Sequence, residues 1–77
     1  MDLLQIGNIV KYHRKVAGLS QKELADLAGV GKTVVFDLEK GKQTMQWKTI
    51  TSILKALNIS VKLNSPLMNK YLIDEKS

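Results

Sequence analysis

His13 is the only histidine among 77 residues, and cysteine is absent. A zinc ion here would need three carboxylate ligands beside that histidine, and no such cluster occurs. No nucleophile stands near His13, and no glycine-rich loop is present to cradle a phosphate, so the side chains that carry most enzyme chemistry are missing. A chain this short is also too small to enclose a substrate pocket. The sequence therefore predicts a protein that is not an enzyme and holds neither cofactor nor metal. Charge is the chemistry that remains.

The formal net charge is +5, which favours anionic partners such as nucleic acid or a membrane surface. Its placement is uneven. Residues 1–39 carry Lys11, Arg14, Lys15, Lys22 and Lys32 against Asp2, Glu23, Asp26, Asp37 and Glu39, and sum to zero. Residues 40–62 carry Lys40, Lys42, Lys48, Lys55 and Lys62 and no acid, while Lys70 and Lys76 offset Asp74 and Glu75. The whole excess sits in one central block. That block reads either as a solvated lysine-rich surface or as an anion-binding one.

No apolar run approaches the ~18 residues of a membrane span. The first residues also lack the basic stretch, long hydrophobic block and cleavage site of a secretory leader. The expectation is a cytoplasmic protein with no membrane partner.

Positioning these charges falls to a series of short helices. From Asp2 to Ala17, apolar residues at Leu3, Ile6, Val10 and Ala17 keep helical spacing, and Gly18 supplies the left-handed residue that ends the run. His13 lies three after Val10, which predicts a partly buried histidine hydrogen-bonded in the core. Gly7 costs helix stability and points to a close neighbour. Ser20 opens a second helix as a capping box with Glu23; Leu24, Ala25 and Ala28 form its inner stripe, and Gly29 stops it. A third helix begins at Gly31 and runs to Glu39, with Val35 and Leu38 inward and Gly41 closing it. Two short helices around a tight glycine turn are the geometry of a helix-turn-helix.

A fourth helix is expected from about Gln46 to Leu57, capped by Thr44, ended by Asn58, and presenting Trp47, Ile50, Ile53, Leu54 and Leu57 inward. Trp47 is expected to anchor the core. From Ile59 the period changes to two, with Ile59, Val61 and Leu63 on one side and Ser60 and Lys62 on the other, which predicts a strand. The chain offers that strand no mate. A second copy can pair with it across a two-fold axis, adding the buried area that a chain able to gain only about 3–5 kcal/mol from its own core is short of. Pro66 ends the pairing. The tail that follows, Leu67 to Ser77, reads as a short helix folded back, a frayed end, or a docking segment for a protein partner.

The run Leu19-Ser-Gln-Lys-Glu-Leu-Ala-Asp-Leu-Ala-Gly-Val-Gly-Lys-Thr-Val-Val-Phe-Asp-Leu-Glu-Lys-Gly41 resembles the phage Cro and repressor type of helix-turn-helix, the XRE-like family. The resemblance covers roughly Ile6 to Leu57. Within that family, Leu57-Asn-Ile-Ser-Val-Lys-Leu63 resembles the HipB antitoxins, whose dimers add a strand after the fourth helix. The implied fold is mostly α: a four- to five-helix repressor-type domain with one C-terminal β-strand that pairs across a dimer. The boundaries are 1–58 for the DNA-binding domain, 59–65 for the dimerisation strand (Ile59, Val61, Leu63) and 66–77 for the tail.

The resemblance also implies residue roles. Gln21 matches the glutamine that clamps a phosphate and braces the recognition helix. Lys32 and Thr33 match positions at the start of that helix that reach base edges, and major-groove chemistry agrees, since lysine can donate to guanine and threonine offers a hydroxyl or methyl. Arg14 and Glu39 match a structural pair joining the first and third helices. Lys40, Lys42, Gln43 and Thr44 fall in the loop that touches the sugar-phosphate backbone, with Lys48 one turn into the next helix.

Two positions depart from the family. Gly31, often serine, loses a side-chain cap, and Phe36 replaces a small polar residue. Phe36 either contacts a thymine methyl or packs against the first helix. The implied function is a homodimeric repressor on an inverted repeat of double-stranded DNA, serving as the antitoxin of a HipA-like serine/threonine kinase toxin. A prophage-type repressor without a toxin, or a protein-interaction module that has lost DNA binding, are the alternatives.

Overall fold

The computed structural model describes residues 2–75. Met1 and the last two residues of the 66–77 tail, Lys76 and Ser77, lie outside the described residues. The chain folds into α1 (Leu3–Val16), α2 (Gln21–Ala28), α3 (Lys32–Glu39), α4 (Trp47–Ala56) and α5 (Met68–Glu75).

Each of the first four helices ends in the same way. A residue of positive φ follows it (Gly18, Gly29, Gly41 or Asn58), and the next amide reaches back five residues: Leu19 to Arg14, Val30 to Ala25, Lys42 to Asp37, Ile59 to Leu54. This satisfies carbonyls that a helix end leaves open. The starts are less uniform. Asp2 caps α1 and Ser20 caps α2, both as reciprocal capping boxes with Gln5 and Glu23, whereas Gly31 and Gln46 precede α3 and α4 without a side-chain cap. Thr44, expected to cap α4, stands in the loop two residues too early.

One core serves the first four helices. Val10 of α1, Leu24 and Ala25 of α2, Val35 and Leu38 of α3, and Ile50, Ile53 and Leu54 of α4 are buried together. Helix α3 packs on both α1 and α2, and α4 packs on α2. Gly7 explains how closely α1 meets α3: a Cβ there would collide with the carbonyl oxygen of Leu38.

Two sequence expectations are corrected, and a third finds no support in the single chain. His13 is exposed, its Nδ1 2.7 Å from the carbonyl oxygen of Ile9, because the buried stripe of α1 runs through Gly7, Val10 and Arg14. Trp47 is 57 % exposed. As the first residue of α4 it overhangs the core, which Ile50, Ile53 and Leu54 fill from the following turns. Finally, no strand occurs among the described residues: residues 59–65 form neither helix nor ladder. A strand is defined by its partner, and no other described segment supplies one to Ile59, Val61 and Leu63.

Helix α5 buries none of its residues. The radius of gyration is 14.7 Å, against about 11.5 Å for a compact chain of this length. The tail is therefore a helix, but one that stands off the four-helix body.

Candidate nucleic-acid interface

The site rests on a buried carboxylate. Glu39, the last residue of α3, accepts from Arg14 Nε at 2.7 Å and Nη2 at 3.0 Å, and from Gln21 Nε2 at 3.2 Å. Arg14 Nη1 also donates to the carbonyl of Leu19 at 2.8 Å, ahead of α2. One side chain thus ties α1, α2 and α3 together. Burial by itself would raise the Glu39 carboxyl, but the hydrogen bonds from Arg14 and Gln21, with the charges of Arg14 and Lys11, outweigh it and hold the group below its ordinary value. Hydrogen bonding to Glu39 raises Arg14 in turn, against its own desolvation. Such fork-to-fork pairing fixes orientation as well as distance.

This brace grips α3 at its carboxyl end, and the opposite, N-terminal end is the one left open. Gly31 is its N-cap, and Lys32 and Thr33 are its first two residues, both exposed. Phe36, one turn on, is 45 % exposed and carries Lys40 Nζ 5.5 Å from its ring centroid. Lys32, Phe36 and Lys40 follow one another at four-residue spacing and so share one side of the helix. Gln21, half-buried at the start of α2, stands beside this surface with its amide on Glu39.

The loop from Lys40 to Gln46 continues the surface. Lys42 Nζ lies 3.4 Å from Asp37 Oδ2, Gln43 Nε2 donates to the carbonyl of Gly41 at 2.9 Å, and Thr44 is exposed. Lys42, Thr44, Val34 and Asp37 line a common depression. Lys48, second in α4, is exposed, as are Lys55 and Lys62. The candidate residues therefore fall on the start of α2 (Gln21), on α3 from Gly31 to Lys40, on the loop after it and on the first turn of α4.

Asp37 is the residue that sequence reasoning passed over. It sets a helix carboxylate against the basic loop, 3.4 Å from Lys42 Nζ, and its signal was its position four residues after Thr33 on α3. Ile59, Val61 and Leu63 are not part of this surface. They wall a separate apolar groove, with Trp47 and Leu54 of α4 and Ile6 and Ile9 of α1.

Among the described residues, no group of three histidines or acids is placed to hold a metal ion. No described helix is long and apolar enough to cross a membrane.

An exposed helix amino end, braced from behind and followed by a basic loop, is the arrangement of a helix-turn-helix protein. The helix-turn-helix family (HTH_3) matches residues 10–63, and the chain belongs to it. The chain is 41 % identical over 61 residues to an uncharacterized HTH-type transcriptional regulator, y4mF, of Sinorhizobium fredii, covering 79 % of this chain and 80 % of that one. It is 32 % identical to the control protein C.SmaI of Serratia marcescens, over 79 % of this chain and 74 % of the relative. The ImmF control region 10 kDa protein of Bacillus phage phi105 is 30 % identical over 99 % of this chain and 82 % of its own length.

Proposed function

We propose that this chain is a sequence-specific transcriptional repressor that binds double-stranded DNA as a homodimer on an inverted repeat. The observation that carries the reading is the exposed amino end of α3, with Lys32 and Thr33 presented outward and the helix held from behind by Arg14, Glu39 and Gln21. In this family's docking mode that end enters the major groove, where Lys32 donates to guanine and Thr33 meets a base edge. Lys40, Lys42, Gln43, Thr44 and Lys48 contact the backbone and set the register, and Gln21 clamps a phosphate at the other flank. Phe36 meets a thymine methyl beside Lys40. The kinship to a transcriptional regulator and to a control protein supports the same class.

The homodimer follows from the 59–63 segment. Its amides and carbonyls find no ladder within the described chain, and a second copy satisfies them by antiparallel pairing. Pairing there fixes how far apart two α3 helices stand. The narrower likeness to HipB antitoxins, and with it a HipA-like kinase partner, draws no support from the names of the relatives and is not part of this proposal.

Selection of bound duplexes from a random pool, together with sedimentation of the free protein, tests both halves. The expected outcome is a dimer and an inverted repeat with half-site centres about 34 Å, or a multiple, apart. An unrepeated site bound by a monomer would remove the dimer, and a pool that stays random would remove the reading.

A further inference from the structure

Two apolar surfaces are left open among the described residues. The first is the groove of about 440 Å³ between α1, α4 and the 59–63 segment, where Trp47, Val61 and Leu63 stand over Ile6, Ile9 and Leu54. The second is α5, none of whose described residues is fully buried and of which only Met68 is half-buried. Leu67, just before it, and Met68, Tyr71 and Leu72 within it recur at four-residue spacing and share one side. An isolated helix of this length is marginal in water. Helix α5 therefore gains from a packing surface, and against its own four-helix body none of its described residues is fully buried.

We infer that the apolar side of α5 docks in the groove of a second copy of this chain, reciprocally across the two-fold axis; the inference rests on the homodimer proposed above. Antiparallel pairing of two 59–63 segments puts the end of each beside the beginning of the other. Each α5 then starts next to its partner's Ile59 and Leu54, which line the groove. Charge agrees with this placement. Helix α5 carries Asp74 and Glu75 against Lys70, a net negative charge, whereas Lys62 lines the groove and the whole 40–62 stretch holds no acid. Area agrees too. Trp47, Val61, Leu63, Leu67, Tyr71 and Leu72 are all exposed large apolar side chains. At on the order of 100 Å² apiece, two copies bring roughly 1,200 Å², above the about 1,000 Å² that a specific interface needs.

The absence of native cysteine and the single tryptophan make the test direct. Two variants, Ile6→Cys and Leu72→Cys, are mixed and oxidised. A disulfide joining the two different variants is expected, in excess over either self-pair. In parallel, Trp47 emission of the native chain should shift to the blue and resist acrylamide as concentration passes through the dimer midpoint. A Tyr71→Asp/Leu72→Asp variant should keep the helical signal of its body but leave Trp47 exposed. Shielding of Trp47 that is independent of concentration would mean α5 closes its own groove and would overturn the inference. A dimer that forms no mixed disulfide and leaves Trp47 as exposed as in the double variant also overturns it, while sparing the dimer. A monomer at every concentration removes the dimer itself and the inference with it.

Discussion

Gly7 of α1 and Leu38 of α3 meet backbone to backbone, so closely that a Cβ on Gly7 would overlap the Leu38 carbonyl oxygen and crowd the Glu39 Cα. The contact lies next to the residue that fixes the orientation of α3. Gly7→Ala must push α1 and α3 apart, and it is expected to destabilise the fold by about 1–3 kcal/mol or more, despite alanine's better helix propensity. Urea unfolding of the two proteins measures this. A Gly7→Ala variant as stable as the native chain would contradict the contact.

Removing the carboxylate of Glu39 strands Arg14, whose side chain is only 10 % exposed. Glu39→Ala is expected to cost about 3–5 kcal/mol, the penalty for breaking a buried pair from one side. It also frees Gln21, so DNA affinity should fall in whatever folded fraction remains.

The same pair sets an acid limit. The Glu39 carboxyl is lowered in the folded chain, so its contribution to stability is complete above the ordinary carboxylate value of about 4.3 and is lost as pH falls through the lower folded value. Stability of the native chain should therefore drop on the acid side below about pH 4. Glu39→Gln should start lower at neutral pH and show a shallower acid decline, measured by thermal unfolding across that range.

Gly31 leaves α3 without a side-chain cap, and a Cβ placed there meets nothing within 4 Å. Gly31→Ser is expected to gain a few tenths of a kcal/mol, since glycine is already a tolerable cap. A measurable loss would contradict the open, extended backbone at Gly31 (φ −77°, ψ 153°).

How much of this was legible in the sequence depends on whether a feature is local. The capping box at Ser20, the glycine stops and the close approach at Gly7 could be read from residue type and spacing, because each is decided within a few residues. Trp47 and His13 were misplaced because helical spacing does not say where the core ends: Trp47 begins its helix at the edge, and Arg14 takes the position that His13 seemed to hold. The alternation at Ile59, Val61 and Leu63 is real in sequence, but alternation does not supply a ladder. The brace at Glu39 needed three helices to be placed, so only the family resemblance hinted at Arg14, and Asp37 of α3, facing the basic loop, went unread.

Lys42 holds an exposed contact to Asp37 at 3.4 Å, worth little to stability. Lys42→Ala should leave unfolding unchanged, weaken all DNA sequences alike, and lower the salt slope of binding by about 0.9. An unchanged slope would reassign Lys42 to its surface pair with Asp37.

Lys32 and Thr33 carry the central claim, and a titration of labelled duplex tests it most directly. Fluorescence anisotropy would follow binding to DNA flanking the protein's own gene and to a shuffled duplex of the same composition, at several salt concentrations. The expected result is a preference for the first duplex, affinity that falls steeply with salt, and a preference that shrinks by roughly 1–3 kcal/mol in Lys32→Ala with the shuffled duplex little affected. Equal binding to both duplexes, or a preference untouched by Lys32→Ala and Thr33→Ala, would contradict the account.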